Sequence, residues 1–126
     1  MTATANFLIG LLVILLHEAA HIAAAWSLGL GVKRVGVSWK GMYIVRESGP
    51  PVANMVTTLA GPFLNLALVA AWPISHEFAI ANLVFGIGNL LPMKSSDGLR
   101  ALALARRQFR ESAWKKPTGS QCAAEA

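Results

Sequence analysis

Residues 6–28 read NFLIGLLVILLHEAAHIAAAWSL, an almost unbroken apolar run that contains one ionisable cluster, HEAAH at residues 17–21. A helix of this length, rising about 1.5 Å per residue, is long enough to cross a hydrocarbon layer about 30 Å thick. Ionisable side chains are rare in such spans and generally mark a functional site or a packed polar cluster. We therefore interpret the run as a transmembrane helix that carries a site.

The spacing of the two histidines in this cluster predicts a metal site. His17 and His21 lie four residues apart, so on a helix both imidazoles project from one face and reach a single ion. Glu18 flanks that face, where its carboxylate can accept a proton from water instead of binding the ion. This arrangement is typical of zinc-dependent peptide hydrolysis. In a soluble protein the same pattern often arises by chance among surface residues that have no function, but its position in a hydrophobic span favours a metal site.

The composition of the whole chain supports a membrane protein. Its 126 residues allow one domain, and 55% hydrophobic residues with 13% charged residues are too apolar for an ordinary soluble domain. The first apolar run is also too long for a signal-peptide core, so we expect a retained span. A single cysteine, Cys122, excludes an internal disulfide and a cysteine-based zinc site. Any metal must be held by histidines and carboxylates.

The hydrophobic pattern predicts an all-α membrane protein with three transmembrane helices in one domain, residues 1–112. The predicted spans cover about 6–28, 52–72 and 78–93, with a β-hairpin at about 32–48, a juxtamembrane amphipathic helix at about 98–112 and a disordered tail at 113–126. The hairpin is either a plain connection or an edge on which an extended peptide rests.

Polar and small residues recur at helical spacing in the second and third predicted spans. They are Asn54, Thr58, Gly61 and Asn65 in the second span, and Asn82, Gly86 and Asn89 in the third. We expect these two stripes to face each other. Ordinary packing of helices through small residues would produce the same pattern.

The basic residues predict the orientation of the chain in the membrane. All eleven lysines and arginines fall either between the first two predicted spans or after the third. With three spans these two regions lie on one side, which the positive-inside rule makes cytoplasmic. We expect a multi-pass protein of the cell membrane with its N-terminus outside and its C-terminus in the cytoplasm. Charges that flank spans in this way argue against nucleic-acid binding.

A catalytic zinc site usually has three protein ligands and a water molecule, and the first helix supplies only two. Asp97 follows the third span on the side to which the histidines lie closest, which favours it as the third ligand. Glu47, at the end of the hairpin, stays open as an alternative, whereas Glu77 falls on the opposite side. The plainest other role for Asp97 is that of an N-cap for the helix that follows it.

Three segments of the chain resemble the motifs of the site-2 protease-like intramembrane zinc metallopeptidases. HEAAH at 17–21 matches the first motif of that family, and LAGPFLN at 59–65 is similar to its central Ala-Gly-Pro-x-x-Asn segment. NLLP at 89–92, followed by Asp-Gly at 97–98, is similar to its third motif. The order and spacing agree from about residue 7 to residue 104, so the resemblance covers most of the chain.

The resemblance implies a function and a role for each motif residue. His17, His21 and Asp97 would bind Zn²⁺, Glu18 would be the general base, and Asn65 would position or polarise the scissile carbonyl. The substrate would be a transmembrane protein in the lipid bilayer. The chain resembles the three-helix catalytic core of the family, and a regulatory membrane partner or a homo-oligomer would stand in for the domains that longer members carry.

The chain departs from the family motif at one segment, and two other functions remain as alternatives to proteolysis. Residues 93–96 read MKSS, where the family usually has prolines and an apolar residue. A small zinc-binding or metal-transport membrane protein without proteolytic activity would use the histidine pair as a transit site. A non-catalytic interaction module would use the polar residues only to join helices.

Overall fold

The structure, a computed structural model, describes residues 2–39 and 41–114. Its elements are α1 (Ala3–Ser27), β1 (Val32–Ser38), β2 (Gly41–Arg46), α2 (Pro51–Leu68), α3 (His76–Leu90) and α4 (Asp97–Trp114), and a 3₁₀ turn (Val69–Ala71) extends α2. The fold is thus mostly helical with one antiparallel hairpin between the first two helices. This part of the expected fold class is confirmed.

Two segments are long and apolar enough to cross a membrane. They are Ala3–Ser27, with 25 residues and a mean hydropathy of 2.0, and Pro51–Ala71, with 21 residues and a mean hydropathy of 1.5. Only 17% of the most apolar window of α1 is buried, whereas the core helix of a soluble protein is mostly buried. By length and composition both segments could cross a membrane, and they lie at the positions of the first two predicted spans.

Helix α3 is shorter than a full span, so the third predicted transmembrane helix over 78–93 is not shown. Its 15 residues extend about 22 Å, less than the roughly 30 Å of a hydrocarbon core. The helix begins at His76, two residues before the predicted span, where the Ser75 side chain accepts a hydrogen bond from the Phe78 amide. It ends early because Pro92 restricts the preceding residue, and Leu91 is extended with ψ 138°.

The hairpin forms close to the predicted range of 32–48. Strands β1 and β2 pair antiparallel, with Val35 opposite Ile44 and Ser38 opposite Gly41. At the base of the hairpin the Glu47 amide donates to the Gly31 carbonyl over 2.8 Å. The strand residues end at Arg46, so the predicted range is two residues too long at its C-terminal end.

Helix α2 lies at the centre of the helical packing and contacts α1, α3 and α4. The predicted pairing of its stripe with that of α3 is confirmed by two contacts. The Asn65 amide donates to Asn82 Oδ1 over 2.8 Å. Gly86 lies so close to α2 that a Cβ there would come within 3.1 to 3.2 Å of Leu66 and Asn65 side-chain atoms.

Helix α4 begins with a serine cap. The Ser96 hydroxyl accepts a hydrogen bond from the Leu99 amide over 3.2 Å, so Ser96 performs the N-cap role considered for Asp97. The carboxylate of Asp97 is therefore available to other partners. The helix runs from Asp97 through Trp114, longer than the predicted 98–112, and takes in the first two residues of the predicted tail at 113–126. The rest of that predicted tail lies outside the described residues.

Candidate metal centre

The three residues predicted as metal ligands converge at one point between α1 and the start of α4. The His17 and His21 Nε2 atoms lie 3.1 Å from each other, and they lie 3.0 and 3.2 Å from Asp97 Oδ2. The side chains of His17, His21 and Asp97 are only 3%, 12% and 8% exposed. Among the described residues this is the group that could hold a metal ion, and Glu47 does not belong to it.

The spacing of these three atoms suits a tetrahedral ion. Ligand bonds of about 2.0 to 2.1 Å in a tetrahedral site separate the ligand atoms by about 3.3 to 3.4 Å. The observed separations of 3.0 to 3.2 Å come close to one face of such a tetrahedron. Two imidazole nitrogens and a carboxylate oxygen are also a donor set that zinc accepts. The residues present therefore fit a divalent ion.

A chain of buried side-chain amides orients His17. The Phe78 carbonyl accepts from Asn82 Nδ2 over 2.9 Å, which leaves Asn82 Oδ1 to accept from Asn65 Nδ2 over 2.8 Å. Asn65 Oδ1 then lies 2.6 Å from His17 Nδ1, and because that oxygen can only accept, Nδ1 carries a proton and donates it. The lone pair of His17 is thereby placed on Nε2, the atom that faces Asp97.

A backbone carbonyl orients His21 so that its Nε2 atom, like that of His17, faces the site. His21 Nδ1 donates to the Thr57 carbonyl over 2.7 Å, so the Nε2 atoms of both rings are directed at one point. Two lone pairs and a carboxylate oxygen at this separation repel each other unless protons or a cation lie between them. A divalent ion at this point would meet that need.

Asp97 sits at the site in its ionised form. Burial alone would raise the pKa of Asp97, but its hydrogen bonds with His17 and His21 hold its pKa well below the usual range. Its second oxygen, Oδ1, lies 3.7 Å from the Arg100 guanidinium. The next residue, Gly98, packs against the backbone of Leu90 at the end of α3, where any Cβ would collide. This close contact brings the start of α4 up to the histidines.

Glu18, the predicted general base, lies beside the ligands in the wall of an open cavity. The cavity has a volume of about 950 Å³ and is lined by all three ligand residues as well as by Glu18. This volume is at the upper end of the range for small-molecule sites, so it has room for more than water. The half-buried Glu18 carboxylate makes no hydrogen bond or ion pair with the other described residues, which leaves it available as a proton acceptor.

Asn65, which the resemblance assigns to the scissile carbonyl, is fully buried with both ends of its amide engaged by His17 and Asn82. Its direct action on a substrate stays a prediction, and its observed contact is with a ligand. Sequence reasoning missed the roles of Asn82 and of the Thr57 carbonyl. The helical stripe pointed to Asn82 as a packing residue, whereas a backbone carbonyl leaves no sequence signal.

Comparison with protein-family models and with curated proteins finds no match for this chain. The functional argument therefore rests on the residues of the site.

Proposed function

We propose that this chain is an intramembrane zinc metalloprotease of the site-2 protease kind, which hydrolyses peptide bonds in transmembrane segments of other proteins. The observation that carries the proposal is the convergence of His17 Nε2, His21 Nε2 and Asp97 Oδ2 within 3.2 Å of one another, beside Glu18. The two histidines and Glu18 lie on a helix that is long and apolar enough to span a membrane.

The donor atoms define how a metal would be held. His17 and His21 would bind through Nε2 and Asp97 through Oδ2, which gives the three protein ligands typical of a catalytic zinc site rather than the four of a structural one. A zinc ion in such a site acidifies a water molecule and polarises a carbonyl oxygen. The Asn65 and Thr57 contacts keep both rings in the tautomer that this binding requires.

Glu18 carries the proton transfers of the reaction. Its carboxylate accepts a proton from the attacking water as the water oxygen bonds to the peptide carbonyl carbon. The same group then gives the proton to the leaving amine as the carbon–nitrogen bond breaks. A transmembrane substrate must unwind locally in the cavity, because a helical backbone engages its carbonyls in hydrogen bonds. Residues of strand β2 line this cavity and offer a surface beside an unwound segment.

The proposed membrane arrangement has α1 and the segment 51–71 as spans, α3 as a third helix inserted beside them and α4 along the surface. The positions of the basic residues support a cell-membrane protein with its N-terminus outside and its C-terminus cytoplasmic. A regulatory membrane partner or a second copy of the chain would complete the assembly.

Replacement of Glu18 tests the proposal. We expect Glu18→Gln to lower the cleavage rate of a transmembrane model substrate by about 100-fold or more, because a general base typically contributes at least that factor. Its zinc content, measured by elemental analysis, should equal that of wild type because Glu18 is not a ligand. The matched control is Glu47→Gln, which changes an exposed carboxylate outside the metal group. Undiminished cleavage by Glu18→Gln contradicts the proposal.

A metal-binding or metal-transport protein is the second candidate, since the three ligands converge without any contribution from Glu18. That function predicts zinc uptake into proteoliposomes by wild type and Glu18→Gln alike, with no cleavage by either protein. Cleavage by wild type alone decides for the protease.

A further inference from the structure

The outer part of the metal-site cavity carries an arginine whose hydrogen-bond partners among the described residues are all uncharged. Arg46, the last residue of β2, donates to the Asn54 side-chain oxygen over 3.1 Å and to the Glu47 backbone carbonyl over 3.2 Å. Longer contacts reach the Asn54 carbonyl at 3.4 Å and Thr58 Oγ1 at 3.5 Å. These oxygens fix the guanidinium at the junction of the hairpin and α2 but leave its positive charge uncompensated.

A second arginine faces the same space from α4. Arg100 lies one turn after Asp97, its side chain is 65% exposed, and its Nη1 atom is 3.7 Å from Asp97 Oδ1. Burial, and after it the positive charge of Arg100, lower the pKa of Arg46, which agrees with the two guanidinium groups lying near each other. Both residues line the cavity that contains the ligands.

The other charged residues of the described cavity wall either pair with each other or lie at the metal end. Arg107 has its own partner in Glu111, with 3.4 Å between Nε and Oε1. Asp97 and Glu18 are the carboxylates of the metal end, and their two negative charges would balance a divalent ion. With such an ion bound, the charges of Arg46 and Arg100 would be in excess on the described part of the outer wall. A partly enclosed site with such an excess concentrates anions.

We propose that Arg46 and Arg100 form a subsite that binds the carboxylate of an acidic side chain in the substrate, near the peptide bond that is cut. The inference rests on the proposed proteolysis. The peptide is the occupant we favour because the pair lines the same cavity as the metal ligands, and because Arg46 ends the strand along which an unwound segment would lie. Guanidinium groups bind carboxylates through paired, charge-assisted hydrogen bonds, whereas the apolar walls of the spans offer no such partner.

The test uses transmembrane model peptides that differ in charge at single positions. Glu, Gln or Lys is placed in turn at each of the residues flanking the cleaved bond, and kcat and KM are measured in uncharged detergent. At one or two positions we expect Glu to give roughly tenfold lower KM than Gln, with Lys worse than both, since a carboxylate forms charge-assisted hydrogen bonds with guanidinium groups that a neutral amide lacks. Arg100→Gln should abolish this preference, and Arg100→Glu should reverse it in favour of the Lys peptide.

Arg110→Gln is the control, because Arg110 lies on the same helix but does not line the metal-site cavity. Equal KM for all peptides at every position overturns the anion subsite while leaving the proposed protease intact. Failure of wild type to cleave any peptide overturns both. If Arg100→Gln instead changes only the response to vesicles containing anionic lipid, a lipid headgroup occupies the pair and the peptide subsite is refuted.

Discussion

Gly61 in α2 lies directly against the metal-binding edges of both histidines. A Cβ at this position would come within 2.7 Å of His17 Cε1 and 2.8 Å of His17 Nε2, and closer still to His21 Nε2. The two Nε2 atoms are the ones at which a metal would bind. Gly61→Ala therefore tests whether the backbone of α2 forms one wall of the metal centre.

The size of the effect follows from these distances. To restore an ordinary contact of 3.4 Å, His17 must withdraw by about 0.7 Å, and His21 by more. Metal sites require ligand distances within about 0.2 Å of their ideal values, and positioned side chains tolerate shifts of about 0.5 Å. We expect Gly61→Ala to weaken zinc binding by about 100-fold, the upper end of the effect of displacing a ligand's support.

The fold should survive the same change. Overpacking lowers the free energy of unfolding by about 1 to 3 kcal/mol, and replacing glycine by alanine inside a helix raises it by about 1 kcal/mol. The net loss of stability is then about 2 kcal/mol or less, so helix content should be retained. Zinc affinity is measured by competition with a chelator, and helix content by circular dichroism.

Gly88→Ala provides the control, since a Cβ on Gly88 in α3 would have no neighbour within 4 Å. It should bind zinc as wild type does. If Gly61→Ala binds zinc as tightly as Gly88→Ala, the rings are not held against α2 and the described geometry of the site is wrong.

The other predictions concern the support of the ligands and their protonation. Asn82→Leu should weaken zinc binding about 10-fold or more without touching a ligand, because Asn65 loses the partner that orients it toward His17; unchanged affinity would show that the amide chain has no role in binding. Zinc affinity, measured by competition with a chelator, should also fall as the pH is lowered, because protons compete with the metal for imidazole nitrogens. Asp97, whose pKa is held below its usual range, stays ionised near neutral pH, so Asp97→Asn should lower zinc affinity there by removing a charged ligand.

Local patterns predicted the parts of the site that lie within one helix. The long apolar run gives α1, and the four-residue spacing puts His17 and His21 on one face. Membrane topology and the family resemblance predicted Asp97 as a ligand. Ser96 and Asp97 can both cap a helix, however, so the sequence alone does not decide which of them is the cap and which is the ligand. The length of α3 depends on the Ser75 cap at its start and on Pro92 at its end. A hydrophobicity pattern does not define either boundary.

The amide chain from Asn82 through Asn65 to His17 was beyond sequence reasoning for a different reason. A stripe of polar residues defines which face of a helix is polar, but not the rotation and offset at which two helices meet. Those variables decide whether Asn65 and Asn82 bond to each other, to backbone or to substrate. In the structure the rotation and offset are set by the close approach at Gly86, where side chains of α2 pack directly against the backbone of α3.

One face of α2 supplies three different supports to the histidines at intervals of four residues. The Thr57 carbonyl accepts from His21, Gly61 allows both rings to approach, and Asn65 accepts from His17. A module that only joins helices would satisfy buried imidazoles with any nearby partners and has no need to direct both Nε2 atoms toward a single carboxylate oxygen. Helix packing therefore accounts for the polarity of this face but not for the convergence, whereas metal binding accounts for both.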